Sequence, residues 1–112
     1  MTQEVVCARV ALKPNSLQRV REWAAFISQH REEALQTLQL EGVTIESVFL
    51  DSSPSGDFLV YYMRSASQSK AEAVAANSLA MIDAYHNTFK RETWSHVDRL
   101  ELLLDLELPN QI

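Results

Sequence analysis

The sequence predicts an α+β domain in which a four-stranded antiparallel sheet carries two helices on one face. Four apolar runs rich in β-branched and aromatic residues have the two-residue period of strands. Two longer stretches have the 3.6-residue period of amphipathic helices, and turn-forming residues separate the segments. Because 112 residues suffice for one core but not two, we expect a single domain over residues 1–112.

The first strand is predicted at Glu4–Leu12, where both faces are largely apolar and Arg9 is the exception. A strand that is apolar on both faces belongs in the middle of a sheet. A turn follows, and the side chain of either Asn15 or Ser16 can cap the first helix. The apolar periodicity carries that helix to about Leu40.

A strand hairpin is predicted after the first helix. Gly42 ends the helix, because glycine adopts the left-handed cap conformation at little cost. Strands are predicted at Val43–Leu50 and Phe58–Arg64. The turn-rich segment 51–57 joins them.

The second helix has two possible starts. Ser69 with Glu72 is a capping-box pattern, and Ser65 with Gln68 competes with it. The stripe of apolar residues then continues for about five turns. Its weakest point is Asn77–Ser78, where we expect a break or kink.

The last strand is predicted at Trp94–Leu108, where leucines alternate with charged residues. We expect its even-numbered leucines to face the helices. The residues then left on the open side of the sheet are Arg99, Glu101, Leu103 and Asp105. The complete order, β-α-β-β-α-β, is that of the ferredoxin-like split βαβ fold.

Composition excludes several classes of function. The net charge of −5 disfavours nucleic acid, which binds to clustered positive charge. No apolar run approaches the length that crosses a bilayer, and the N-terminus lacks a signal-peptide pattern, so we expect a cytoplasmic protein with no membrane partner. The single cysteine, Cys7, is expected to pack as a small hydrophobe.

Two helices cover only one face of such a sheet. The open face is mixed, with apolar residues and charges from the first strand, and exposed patches of this kind mark interfaces. We therefore expect a homodimer whose two sheets pack face to face, which is a dimeric α/β barrel. The alternative is a monomer with an amphipathic face towards solvent.

Three segments carry a resemblance to a known family. They are HREEALQTLQLEGVTIESVFL, FLVYYMRSAS and IDAYHNTFKRETW. They resemble a small bacterial family of ferredoxin-like proteins of unknown function, and the likeness covers roughly residues 6–106. The order of elements also resembles the wider dimeric α/β-barrel superfamily, which includes antibiotic-biosynthesis monooxygenase-like, EthD-like and stress-responsive barrel proteins. The resemblance implies the fold but transfers no catalytic residue.

Two polar residues, Arg31 and His86, fall on helical stripes that are otherwise apolar. A guanidinium in a core needs a carboxylate partner, and Glu46 of the second strand lies level with Arg31. If Glu46 faces the helices, it forms a polar cluster with Arg31 and His86, and Tyr61 or Tyr62 lies nearby. The opposite strand parity places Glu46 on the open face, and the sequence leaves both possibilities open.

A cluster of this kind can transfer protons or hold a small carboxylate or phenol. The catalytic candidates are His86 as base, Arg31 as anion anchor, and Glu46. The substrate-binding candidates are Tyr61, Tyr62 and Trp94. The simpler alternative is a satisfied buried ion pair beside a core histidine, with Trp94 in the core or at a dimer contact.

No metal and no cofactor are expected. His86 with Asp83 and His30 with Glu33 have the i, i+3 spacing of helical ligands, but both acids are expected to point away from the buried stripe. Neither glycine belongs to a phosphate-cradling cluster. Two functions therefore stay open. One is a homodimeric small-molecule-binding or structural module, and the other is a cofactor-free monooxygenase-like or isomerase-like enzyme acting on a small organic or aromatic substrate.

Overall fold

The computed structural model describes residues 3–109. Within them the chain forms one four-stranded sheet and four helices. The elements are β1 (Glu4–Leu12), α1 (Leu17–Gln29), α2 (Arg31–Glu41), β2 (Val43–Ser53), β3 (Gly56–Ser65), α3 (Gln68–Ala76), α4 (Met81–Thr93) and β4 (Trp94–Arg99). None of the helices in this part of the chain is both long and apolar enough to span a bilayer.

The sheet has the order β2-β3-β1-β4, and all neighbouring strands are antiparallel. The predicted ferredoxin-like arrangement is therefore confirmed, with β1 in the interior of the sheet. Alternate residues of each strand face the helices. The buried core forms where that face meets α1 and α4, and its members are Val10, Val20, Trp23, Leu59, Tyr61 and Phe89.

The first helical stretch is two helices rather than the predicted one. His30 leaves helical geometry (φ −108°, ψ 38°), and its ring bonds the Phe26 carbonyl at 2.8 Å and stacks on the Phe26 ring. The break changes the helical phase that places Arg31 on the buried stripe. Arg31 instead begins α2 and is exposed, so its predicted burial is wrong.

The second helical stretch also divides, and here the predicted break is confirmed. α3 ends at Ala76, and α4 begins at Met81. The start of α3 differs from both predictions, because the Ser67 side chain accepts the Lys70 N–H at 3.3 Å. Ser67 has the extended backbone of an N-cap residue, whereas the two predicted cap residues were Ser65 and Ser69.

The last strand is shorter than predicted. β4 is an edge strand that pairs only with β1, and after Arg99 the Leu100 N–H donates to the Cys7 carbonyl at 2.8 Å. The chain then leaves the sheet edge, because Arg64 of β3 pairs with Asp105 (2.5 Å) and Glu107 (3.1 Å). The predicted strand to Leu108 is therefore wrong beyond Arg99.

The segment 100–109 crosses the open face of the sheet from β4 over β1 to β3. Val5 and Cys7, both on that face, line a shallow groove together with residues 100–104. The leucines of the segment are exposed rather than packed against the helices. The predicted orientation is also reversed at Arg99, whose guanidinium bonds Glu72 of α3 on the helix side.

Candidate functional site

A cavity with a volume of about 490 Å³ lies between the helix-facing side of the sheet and the helices. It is lined by residues of every helix and every strand. Its walls are largely apolar, and most of its polar groups come from α2, α3 and α4, with Glu46 of β2 and Tyr61 of β3 opposite them on the sheet. This volume and lining are typical of a site for a small organic molecule.

Glu46 faces this cavity, so β2 turns Glu46 towards the helices and not towards the open face of the sheet. It pairs across the ladder with Met63, which lines the cavity too. Arg31 also reaches the lining, but within residues 3–109 it has no carboxylate within 4.0 Å. The predicted Arg31–Glu46 ion pair is therefore not formed, because the break at His30 displaces Arg31.

Three carboxyl groups influence one another in the cavity: Glu41, Glu46 and Asp83. Solvent reaches the Glu46 side chain from the cavity, but protein surrounds it on most sides, and this burial raises its pKa. Lys90 acts in the opposite direction, and Asp83 raises the pKa of Glu46 further. Burial, aided by Asp83 and Glu46, raises the pKa of Glu41 to about 7. Glu41 can therefore both give and accept a proton near neutral pH, and the pKa of Glu46 is shifted in the same direction.

Among residues 3–109, two polar atoms of cavity-lining residues have no hydrogen-bond partner and are covered by protein: the hydroxyl of Tyr61 and the indole Nε1 of Trp94. The two rings meet edge to face with centroids 5.3 Å apart, but their polar atoms do not reach hydrogen-bond geometry. Burial and the charge of Glu46 raise the pKa of Tyr61, while the neighbouring Trp94 indole acts weakly in the opposite direction. Tyr61 is therefore a neutral hydroxyl in this site.

His86 contacts the same group of aromatic rings. The indole Nε1–H of Trp23 donates to its Nδ1 over 3.1 Å. Burial, together with the charge of Lys90, lowers the pKa of His86 to about 4. The histidine is consequently neutral at physiological pH, and its Nδ1 lone pair is already engaged.

Nearly the whole chain matches a protein family. The model of the DUF6176 family, a family of unknown function, covers residues 3–111. The chain belongs to this family. A comparison with curated proteins finds no match.

Solved structures share the fold at low sequence identity. The L-rhamnose mutarotase of Formosa agariphila aligns over 93% of this chain and 99% of its own, with a TM-score of 0.64 and 20% identity. PA3566 of Pseudomonas aeruginosa aligns over 93% and 97%, with a TM-score of 0.57 and 17% identity. A Bacteroides thetaiotaomicron protein described as a candidate antibiotic biosynthesis monooxygenase aligns over 96% and 97%, with a TM-score of 0.52 and 15% identity. These likenesses confirm the ferredoxin-like α+β fold of the single chain.

The sequence prediction brings together some of these residues and misplaces others. Glu46, Tyr61, His86 and Trp94 line one cavity. Tyr62 does not, because strand alternation turns it to the open face, where its hydroxyl accepts a hydrogen bond from Arg64. Tyr62 is therefore removed from the candidate site.

Three charged residues of the cavity were not predicted as site residues from the sequence: Glu41, Asp83 and Lys90. Asp83, His86 and Lys90 follow one another at three- and four-residue intervals, which places them on one face of α4. That spacing was the available signal, and the expectation that Asp83 points away from the site is wrong because it lines the cavity. Glu41 is the last residue of α2, and it lines the cavity together with Val43, the first residue of β2.

Proposed function

We propose that this protein binds a small oxygenated ring compound in the cavity and moves a proton on it, as an isomerase does. One observation carries the proposal: Glu46, whose pKa is raised, lies with Glu41 and Asp83 in one largely apolar cavity. An isomerisation by proton transfer needs a group that accepts and returns a proton, and donors that hold the oxygen of the substrate.

Glu46 takes the role of base that the sequence suggested for His86, and in its protonated form it returns the proton. Its raised pKa makes its carboxylate a stronger base than an exposed glutamate, and its protonated form is populated closer to neutral pH. Lys90 would donate to a substrate oxygen, and Tyr61 and Trp94 would contact the substrate with their rings, since all three line the cavity. Proton transfer leaves the oxidation state of the substrate unchanged, so this chemistry needs no electron acceptor.

Reducing sugars are the first substrates to test. The L-rhamnose mutarotase that shares this fold is named for a sugar, and exchange between anomers needs an acid and a base. The anomeric hydroxyl loses its proton while the bond from C1 to the ring oxygen breaks and the ring oxygen takes up a proton; the reverse steps close the ring on the other face. We expect the wild-type protein to accelerate exchange between the α and β anomers of at least one sugar of a panel, measured by NMR magnetisation exchange. Glu46→Gln keeps the size of the side chain but cannot take up a proton, and should lower the rate by about 10²-fold or more.

The matched control is Glu33→Gln, which removes a carboxylate from the exposed side of α2 outside the cavity. It should leave the exchange rate unchanged. Exchange that is no faster than in buffer for every sugar contradicts anomer exchange. Full activity in the Glu46→Gln variant contradicts the assignment of Glu46.

A second candidate is binding without turnover. The observation that favours it is the Trp23–His86 hydrogen bond, which occupies the histidine nitrogen otherwise available as a base. In this case the protein is a small-molecule-binding module, and saturable binding occurs with no change in the ligand.

We further propose that two copies of the chain pair through the open sheet face. Phe49 and Ile45 project from β2 on that face and are 61% and 44% exposed. The leucines of segment 100–109 add more exposed apolar surface beside them. A second copy would remove this surface from water, which is the main favourable term in protein association.

A further inference from the structure

The segment 100–109 has the sequence pattern of a strand but forms none in the single chain. From Arg99 to Leu108 leucines alternate with charged residues, with Leu103 as the exception, and no glycine, proline or asparagine marks a turn. Among the described residues, only the Leu100 N–H joins this segment to another backbone group. The chain nevertheless turns across the open face of the sheet directly after Leu100. Contacts made further along the segment therefore bend a pattern that predicts a straight strand.

The segment is poorly packed against its own sheet. Five of its leucines are between 55% and 86% exposed: Leu102, Leu103, Leu104, Leu106 and Leu108. Beneath it, a groove of about 340 Å³ lies between residues 100–104 and the side chains of Val5 and Cys7. Apolar side chains beside an unfilled groove lose the contacts that a close-packed interior would give them. The apolar surface of the segment therefore does not decide its position in the single chain.

A clamp on β3, formed by Arg64 and Tyr62, holds the segment. The guanidinium of Arg64 pairs with Asp105 (2.5 Å) and Glu107 (3.1 Å), and it also donates to the Tyr62 hydroxyl. With both carboxylates in place, the Arg64 side chain is only 12% exposed. Hydrogen bonds between ionised groups that are shielded from water are stronger than those of an open surface ion pair. The clamp thus recognises the two acids and not the leucines around them.

This contact does not require that the clamp and the two acids belong to the same chain. The segment has no backbone ladder beyond Leu100 and no buried side chain. The identical segment of a second copy can replace it at little cost, because the same contacts form again. The strand pattern then continues past Arg99 without a turn. The leucines then lie between the two copies, where Ile45 and Phe49 of β2 provide exposed apolar surface.

We propose that two copies of the chain exchange their segments 100–109, so that Arg64 of each copy binds Asp105 and Glu107 of the other. The partner of this surface is therefore a second copy, recognised by its two acids and its leucines. The exchange rests on the proposed pairing through the open sheet face, and it specifies which residues of the two copies meet. It does not depend on the chemistry of the cavity.

The test reverses the charges of the contact in separate copies. One variant is Arg64→Glu, and the other combines Asp105→Arg with Glu107→Arg. The dimer of each variant alone should dissociate about tenfold more readily than wild type, because like charges meet in both. Mixed in equal amounts, the two variants should form a heterodimer with an affinity near that of wild type, because exchange then joins opposite charges at every contact. Native mass spectrometry of a dilution series distinguishes the heterodimer from the two homodimers by mass.

The control pair makes the same changes in charge away from the open face. One copy carries Arg21→Glu, and the other carries Glu32→Arg with Glu33→Arg, all at exposed positions of α1 and α2. Each control variant should dimerise like wild type, and their mixture should give homodimers and heterodimer in the statistical ratio. An equal preference for the heterodimer in both pairs would reflect overall charge attraction and would overturn the exchange.

A second measurement applies even if the charge-reversed variants do not fold. Arg64→Lys keeps the positive charge and supplies an amine that a carbodiimide joins to a contacting carboxylate. Under exchange, the covalent product has the mass of two chains, and its joined peptides contain position 64 of one chain and Asp105 or Glu107 of the other. Joined peptides found only within single chains would overturn the exchange, and so would the absence of any product at position 64.

The outcomes also separate the exchange from the pairing on which it rests. A dimeric wild type whose charge-reversed variants show no preference for the heterodimer overturns the exchange and leaves the face-to-face pairing in place. A monomeric wild type overturns both the exchange and the pairing, and it leaves the isomerase in place.

Discussion

At the scale of single residues, burial in the cavity changes the pKa of acids and bases in opposite directions. The charged form is disfavoured in both cases, so the pKa of Glu41 rises to about 7 and that of His86 falls to about 4. Between about pH 4.5 and pH 7, Glu41 therefore keeps its proton in the folded protein but loses it in the unfolded chain. Between about pH 6.5 and pH 4, His86 stays unprotonated in the folded protein but becomes protonated in the unfolded chain. Glu41 makes stability fall as pH rises, and His86 makes it fall as pH drops.

Glu41→Gln tests the first of these effects. Glutamine stays neutral, so the variant avoids the loss of stability that wild type undergoes between pH 4.5 and about 7. We expect its melting temperature to match wild type at about pH 4.5 and to exceed it by about 2–4 °C at about pH 8. Glu33→Gln, on the exposed side of the same helix, should melt like wild type at both pH values. Parallel curves for Glu41→Gln and wild type would show that Glu41 keeps an ordinary pKa.

The residues of the site were predictable where strand alternation alone decides their direction. Glu46 and Tyr61 lie on adjacent strands with a common inward face, so one parity brings both into the cavity and excludes Tyr62. Arg31 was not predictable, because its direction depends on the phase of a helix that breaks one residue earlier. Unpartnered atoms and the Trp23–His86 hydrogen bond depend on packing between distant segments, which no local pattern encodes.

At the scale of elements, each crossover of the fold is a pair of short helices. α1 packs with α4 over the core, while α2 packs with α3 and has no fully buried residue. The cavity lies between these two pairs and the sheet. The periodicity predicted both helical stretches but only the second of the two breaks. Asn77–Ser78 contains poor helix formers, which mark that break in the sequence. The first break, at His30, falls within a continuous apolar stripe and has no such mark.

Gly42 is the point where α2 turns into β2 and so positions Glu46. Its φ of 75° lies in the left-handed region, and an added Cβ would meet only the Ala66 Cβ at 4.0 Å. Gly42→Ala should therefore cost about 1 kcal/mol through the backbone alone, measured by urea unfolding. Gly42→Asn should cost less, because asparagine tolerates this conformation. An equal loss of unfolding free energy in the two variants would show that steric contact with the new side chain, and not the backbone φ angle, causes the loss.

At the scale of the whole molecule, the two faces of the sheet have different roles. The helix-covered face encloses the cavity, and the other face carries exposed aromatic and aliphatic side chains beside the segment 100–109. The sequence predicted an open face correctly, since two helices cannot cover both sides. It did not predict the path of the last ten described residues. That path depends on ion pairs between Arg64 and two carboxylates some forty positions later.

Pairing of two copies through the open face is tested by a charge placed at its centre. Phe49→Glu introduces a carboxylate on an exposed ring position of β2, where it need not disturb the core. Burying two such charges against each other in a symmetric interface is unfavourable, so the variant should be monomeric by native mass spectrometry while wild type is dimeric. The matched control is Leu40→Glu, on an exposed position of α2 outside this face, which should remain dimeric. A monomeric wild type would contradict the pairing itself. A dimeric Phe49→Glu variant would instead place the interface on another surface, with the cavity and its chemistry retained in each copy.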